Sequence, residues 1–161
     1  YEVDLGTPLG FIIDEIGGGF NADIKAIQIG GPLGGIVPVA VLRSLTLDFE
    51  VFAEAGFLLG HASFVCIPRS FSAVEYAKHL FAFTAHESCG KCFPCRLGST
   101  RGKEMLGSAI DGTQKFSEEL IHDLLETMEV GSLCALGGGL PLAIKNLLEH
   151  CSDEFQPLME K

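Results

Sequence analysis

Apolar and polar residues alternate at the start of the chain, with Tyr1, Val3 and Leu5 set against Glu2 and Asp4, a strand period that Gly6 breaks. Thr7 before Pro8 predicts a helix start, with a capping hydroxyl and proline at the first helical position. Leu9, Ile12, Ile13 and Ile16 then share one helical face until Gly17, Gly18 and Gly19. Residues 23–29 read as a second strand, closed by Gly30, Gly31 and Pro32. After an irregular loop, residues 48–55 read as a short helix with Phe49, Phe52 and Ala53 inward and Gly56 as its stop. Residues 63–67 are rich in β-formers and read as a last strand. This order of strand, helix, strand, helix, strand suits a ubiquitin-like β-grasp, although a ferredoxin-like split arrangement uses nearly the same elements.

Pro68 and the polar run over residues 69–72 mark a boundary, because the pattern beyond them is helical throughout. Ser72 caps a helix to about Glu87, with Val74, Ala77, Leu80, Phe81 and Thr84 at helical spacing. A second helix is expected over residues 94–109. Ser117 with Glu118 and Glu119 starts a third, whose buried stripe is Leu120, Ile121, Leu124, Leu125 and Met128. Pro141 opens a fourth that ends near His150. The expected fold is therefore α+β: a β-grasp domain over residues 1–70, then a small four-helix bundle over residues 71–161.

Of the 161 residues, 47% are apolar, enough for a real core. Eleven basic against 21 acidic residues give a net charge of -10, which excludes a nucleic-acid binder working by phosphate neutralisation. The longest uncharged stretches are broken by glycine, proline or histidine, so no membrane insertion is expected. Tyr1 stands where an initiator methionine would, and Glu2 and Asp4 where a signal peptide carries basic residues, so the chain reads as a piece of a longer protein. The six cysteines do not look like disulfide staples, since three fall within seven residues and a chain this apolar needs none. A reducing cytoplasm and a metal role follow.

Cys89, Cys92 and Cys95 form C-x2-C-x2-C, and Cys134 stands alone much further on. Three thiolates at three-residue spacing reach three corners of one cube and a fourth from another helix end closes it, which is the ligand set of a 4Fe-4S cluster. Zinc is the rival reading, although it usually takes cysteines as two separate pairs. Residues 89–103 hold Lys91, Arg96, Arg101 and Lys103 and no acid, a local reversal of sign that suits an anionic cluster, with Lys91 and Arg96 nearest the ligands. A solvated basic helix face is the plainer account. Gly90, Gly98, Gly131, Gly137, Gly138 and Gly139 flank the cysteines, where backbone amides would approach sulfur, and turns explain some of them.

The runs Glu87-Ser88-Cys89-Gly90-Lys91-Cys92-Phe93-Pro94-Cys95-Arg96-Leu97-Gly98 and Gly131-Ser132-Leu133-Cys134-Ala135-Leu136-Gly137 resemble the flavin-containing NADH-oxidising subunit of respiratory complex I. The same module occurs in NAD-dependent formate dehydrogenases and NAD-reducing hydrogenases. Ser99-Thr100-Arg101-Gly102, and the stretch from Gln28 through Gly35 to Val37-Pro38, look most like the β subunit of soluble formate dehydrogenases. The resemblance implies an upstream domain holding FMN and NAD, a 2Fe-2S thioredoxin-like subunit and a large iron-sulfur catalytic subunit as partners, and the four cysteines as cluster ligands. No G-x-G-x-x-G stands between a strand and a helix, so the flavin and nicotinamide residues are expected upstream. The run Gly30-Gly31-Pro32-Leu33-Gly34-Gly35 follows a strand but leads to no helix, and reads as a turn rather than a phosphate cradle.

The histidines are scattered, and only His86, three residues before Cys89, is near enough to tune the site; helix packing is its plainer role. Cys66 and Cys151 read as buried or inert thiols. The expected function is an electron-transfer module of an NADH-linked oxidoreductase, with no bond-making site of its own. The rival is a zinc-stabilised, non-redox interaction domain built on the same four cysteines.

Overall fold

The structure, a computed structural model, describes residues 1–160, and the chain forms two compact units, Tyr1–Phe71 and Ser72–Lys161. The first unit holds a three-stranded antiparallel sheet in the order β2-β1-β3, from β1 (Ile24–Ile29), β2 (Gly35–Pro38) and β3 (Phe64–Pro68). β1 is central, and all of its residues but the half-buried Lys25 are buried. Its one polar core residue, Gln28, donates Nε2–H to the Pro32 carbonyl at 2.9 Å. Helices α1 (Leu9–Phe11), α2 (Val39–Leu42) and α3 (Phe49–Glu54) complete the unit. Its core gathers Leu9, Ile27, Ile29, Leu42 and Phe52.

Several expectations for this unit are corrected. The opening alternation makes no strand: Tyr1 is fully exposed and Leu5 67% exposed, and only Val3 of its apolar set packs against the core. Thr7 does not cap α1; its hydroxyl donates to the Asp4 carbonyl at 2.7 Å, Pro8 takes the cap position, and the helix continues as a π-turn over Ile12–Ile16. β2 and α2 were unforeseen, since four residues bounded by glycine and proline carry too little periodicity to read. Phe49 is 55% exposed and Ala53 is exposed, leaving Phe52 as the inward residue of α3. The glycine-rich run is the hairpin connection from Ile29 to Gly35, with Gly31 accepting from the Gly34 amide at 2.9 Å.

The second unit is built on α4 (Ala73–Glu87), α5 (Phe93–Ile110), α6 (Glu118–Gly131) and α7 (Ala135–His150), followed by the short α8 (Ser152–Phe155). Ser72 and Ser117 cap α4 and α6, each hydroxyl accepting a backbone amide at 3.3 Å. Val74, Leu80, Phe81, Leu106, Ile121, Leu125, Ile144 and Phe155 form the interior. Leu120, expected in the α6 stripe, is 47% exposed. Two glycines of α5 set how closely the helices pack: a methyl on Gly102 would run into the Phe81 ring of α4, and one on Gly98 would lie 2.7 Å from the Met128 side chain of α6. Gly98 therefore serves helix packing and not an amide-to-sulfur approach.

The largest departure lies in α7. It begins at Ala135, six residues before Pro141, so the proline sits inside the helix. Proline removes one helical hydrogen bond and crowds the carbonyl four residues back. Here that residue is Gly137, with Gly138 and Gly139 beside it, and this loose backbone absorbs the crowding. The consequence is that Cys134 stands at the cap of a long helix and not in a free loop.

Candidate metal centre

Two helices begin on a cysteine. Cys92 is the N-cap of α5 and Cys134 that of α7, and neither start carries a side-chain cap bond. The exposed amides and dipoles of both N-termini are therefore available to an anion. The two starts lie side by side: a methyl on Gly131 would stand 2.8 Å from Pro94 Cγ, and one on Gly137 2.6 Å from Cys95 Cβ and 2.5 Å from Ser132 Oγ. The notch left by Gly137 is thus walled by Cys95 and Ser132.

The thiols feel one another electrostatically. The backbone amide of Leu133, joined by those of Cys95 and Cys92 itself, holds the Cys92 thiol below its ordinary value. Burial pushes the Cys95 thiol up; a hydrogen bond to Ser88 opposes this, and the charges of Cys92 and Cys134 add to it. The fold thereby brings Cys92, Cys95 and Cys134 together across the two helix starts, while Cys89 sits exposed on the approach to α5. All six cysteines are free thiols. Among the described residues, no three His, Cys, Asp or Glu side chains gather closely enough to share a single metal ion. Four soft sulfurs suit an iron-sulfur group, and two helix N-termini without side-chain caps and the glycine notch give its charge and bulk a place.

Residues 75–158 match the family described as the NADH-ubiquinone oxidoreductase-F iron-sulfur binding region. The chain belongs to this family. It is 32% identical over 158 residues to the NADP-reducing hydrogenase subunit HndC of Solidesulfovibrio fructosivorans, covering 96% of this chain and 32% of that protein. It is 31% identical over 164 residues to an F-type NADH-quinone oxidoreductase subunit of Rhizobium meliloti (strain 1021), covering 100% of this chain and 39% of the relative. The chain therefore spans between a third and two fifths of these relatives. A crystal structure of an NAD+-reducing [NiFe]-hydrogenase shares the fold, with a TM-score of 0.84 at 24% identity over 99% of this chain and 27% of that one. The cofactor of the oxidoreductase-F iron-sulfur region is a 4Fe-4S cluster.

The cations expected beside the cluster are placed as follows. Arg96 donates from Nη1 to the Gly90 carbonyl at 3.2 Å and lays its guanidinium over the Phe93 ring at 4.9 Å, so it braces the Cys89–Cys92 turn from the solvent side. Lys91 is exposed on that turn. Arg101 pairs with Glu104 at 3.7 Å. His86 is exposed against Glu87, with 2.8 Å between Nδ1 and Oε1. Of the two cysteines read as buried or inert, Cys66 is exposed on β3 and Cys151 is buried. Ser88 and Ser132 were missed as site residues, because a serine beside a cysteine carries no spacing signal of its own.

Proposed function

We propose that Cys89, Cys92, Cys95 and Cys134 are the four ligands of the 4Fe-4S cluster, and that the second unit is a small four-helix bundle built to hold it. The observation that carries this is the meeting of two cysteine-capped helix starts, with Cys92 and Cys134 both acting on Cys95. When bound, the cluster supplies one-electron transfer at low potential. The chain's residues fix the thiolates on two helices, turn backbone amides toward the negative charge and bury Cys95. Lys91 and Arg96 supply positive charge on the solvent side. Zinc is disfavoured, because it usually takes cysteines as two separate pairs and here three stand at C-x2-C-x2-C spacing with one distant fourth.

In the complete protein this region passes electrons between an FMN and NAD site on an upstream domain and partner iron-sulfur subunits, a 2Fe-2S thioredoxin-like subunit and a large catalytic subunit. The first unit is a β-grasp brace. The similarity of residues 99–102 and 28–38 to formate dehydrogenase β subunits supports formate as the terminal substrate; the hydrogenase relative supports hydrogen and the quinone-oxidoreductase relative a quinone acceptor instead. Exposed Phe93, Leu97, Val130 and Leu133, at 56–81% exposure beside the cysteines, suit a face that a partner subunit covers. No helix among the described residues is long and apolar enough to cross a membrane, and a cytoplasmic location is part of this reading.

The test is metal content and EPR after anaerobic reconstitution. About four iron and four sulfide per chain are expected, with a signal on reduction. Cys134→Ser should remove most of both, and Cys66→Ser and Cys151→Ser should leave them. One zinc without sulfide, or equal losses from all three replacements, defeats the reading.

A further inference from the structure

We propose that the hydroxyls of Ser88 and Ser132 bracket Cys95 and donate hydrogen bonds to sulfur at the cluster, setting its reduction potential. The proposal rests on Cys95 being a ligand, as argued above. Ser88 Oγ lies 3.4 Å from Cys95 Sγ and already accepts the Gly90 amide at 3.2 Å. In the free thiol, Cys95 donates to Ser88. A ligating thiolate has no proton to give, so this contact persists as a hydrogen bond only with Ser88 as donor. The amide of Gly90 occupies an acceptor lone pair of Ser88 and leaves its proton free for sulfur.

Ser132 lies close to Cys95 as well. Its Oγ is buried and has no hydrogen-bond partner, and it shares with Cys95 Cβ the notch left by the missing side chain of Gly137. A buried hydroxyl without a partner is costly, so it normally marks an acceptor that belongs there. Anionic sulfur at Cys95 is such an acceptor. Both serines close helices that lead into the site, Ser88 at the end of α4 and Ser132 at the end of α6, so backbone already held by the core fixes their positions.

Reduction adds negative charge to the sulfurs, and an O–H donor stabilises the reduced state more than the oxidised one. Removing either hydroxyl should lower the equilibrium constant for reduction by about tenfold, a fall of about 59 mV in midpoint potential. The experiment is an EPR-monitored redox titration of the complete cluster-loaded protein, with iron and sulfide measured on each sample. Threonine and valine have nearly the same shape and differ by the hydroxyl. Ser88→Thr and Ser132→Thr should therefore keep the wild-type potential, while Ser88→Val and Ser132→Val fall. Loss of iron from the valine variants alone also supports the hydroxyl bond. Equal potentials in the threonine and valine variants, or equal loss of iron from both, overturn it. Failure of the ligand assignment is separate, since it would appear as full iron in Cys95→Ser.

Discussion

Gly137→Ala separates a residue that shapes the metal centre from one that merely tolerates a helix. Glycine inside a helix costs about 0.5–1 kcal/mol relative to alanine, so propensity alone makes the change stabilising. The site opposes this. The new methyl would lie 2.5 Å from Ser132 Oγ, 2.6 Å from Cys95 Cβ and 2.9 Å from Ser132 Cβ. Carbon contacts are most favourable at about 3.5–4.0 Å, so Cys95 or Ser132 must move. Both are anchored by their backbones at the edge of the core, and overpacking there costs about 1–3 kcal/mol. The net result is destabilisation of about 1–2 kcal/mol, or about 5–10 °C in a unit of this size. Displacement of Cys95 should also cut bound iron to well below the wild-type content. Gly107→Ala is the control, because its methyl would meet only the flexible end of Lys78, at 3.5 Å from Cε, and should melt at or above wild type. Thermal melts by circular dichroism, with iron analysis, decide between the two effects. If Gly137→Ala holds full iron and melts as high as Gly107→Ala, the notch at Gly137 has no part in the site.

Gly102→Ala should destabilise the second unit by about 1–3 kcal/mol, because its methyl enters the fully buried Phe81 ring; a urea midpoint equal to wild type would show that α4 and α5 can separate freely. In the first unit, two backbone bonds cap α3: Asp48 accepts from the Val51 amide at 3.1 Å and the Glu50 amide at 3.0 Å, and the carboxyl titrates below its ordinary 3.8. A folded-state value below the unfolded one stabilises fully above the ordinary value and is lost as pH falls through the lower one. Asp48→Asn, which caps without titrating, should therefore lose less stability than wild type when melts are compared from neutral pH down to below 3.8; parallel acid profiles would remove Asp48 from the acid response.

The sequence revealed the helices of the second unit far better than the sheet of the first. Long amphipathic periods with Ser72 and Ser117 at their starts leave few alternatives, and α4 and α6 begin where those caps stand. The first unit is written in elements of three to six residues, where a period hardly completes itself. Tyr1, Val3 and Leu5 alternate without a sheet to join, and β2 is found only because β1 pairs with it. The four cysteines were legible because their spacing is rare. The features around them were not, because Ser132, Gly137 and the true start of α7 acquire meaning only when α5 and α7 are placed side by side.

Pro141 shows how those features depend on one another. Read as a helix opener, it leaves residues 134–140 outside the helix. Placed inside α7, it requires a residue four positions earlier that tolerates a displaced carbonyl, and Gly137 meets that need. The same glycine leaves the notch beside Cys95 that Ser132 also lines. The extension of α7 to Ala135 then adds a second helix N-terminus to the one at Cys92, so that the partial positive charge of both stands at the cysteines, with Lys91 and Arg96 on the solvent side, in a chain whose net charge is -10. An anionic group is thereby held locally against the sign of the whole molecule. The packing needs of one proline and the electrostatic needs of the site converge on the same first two turns of α7.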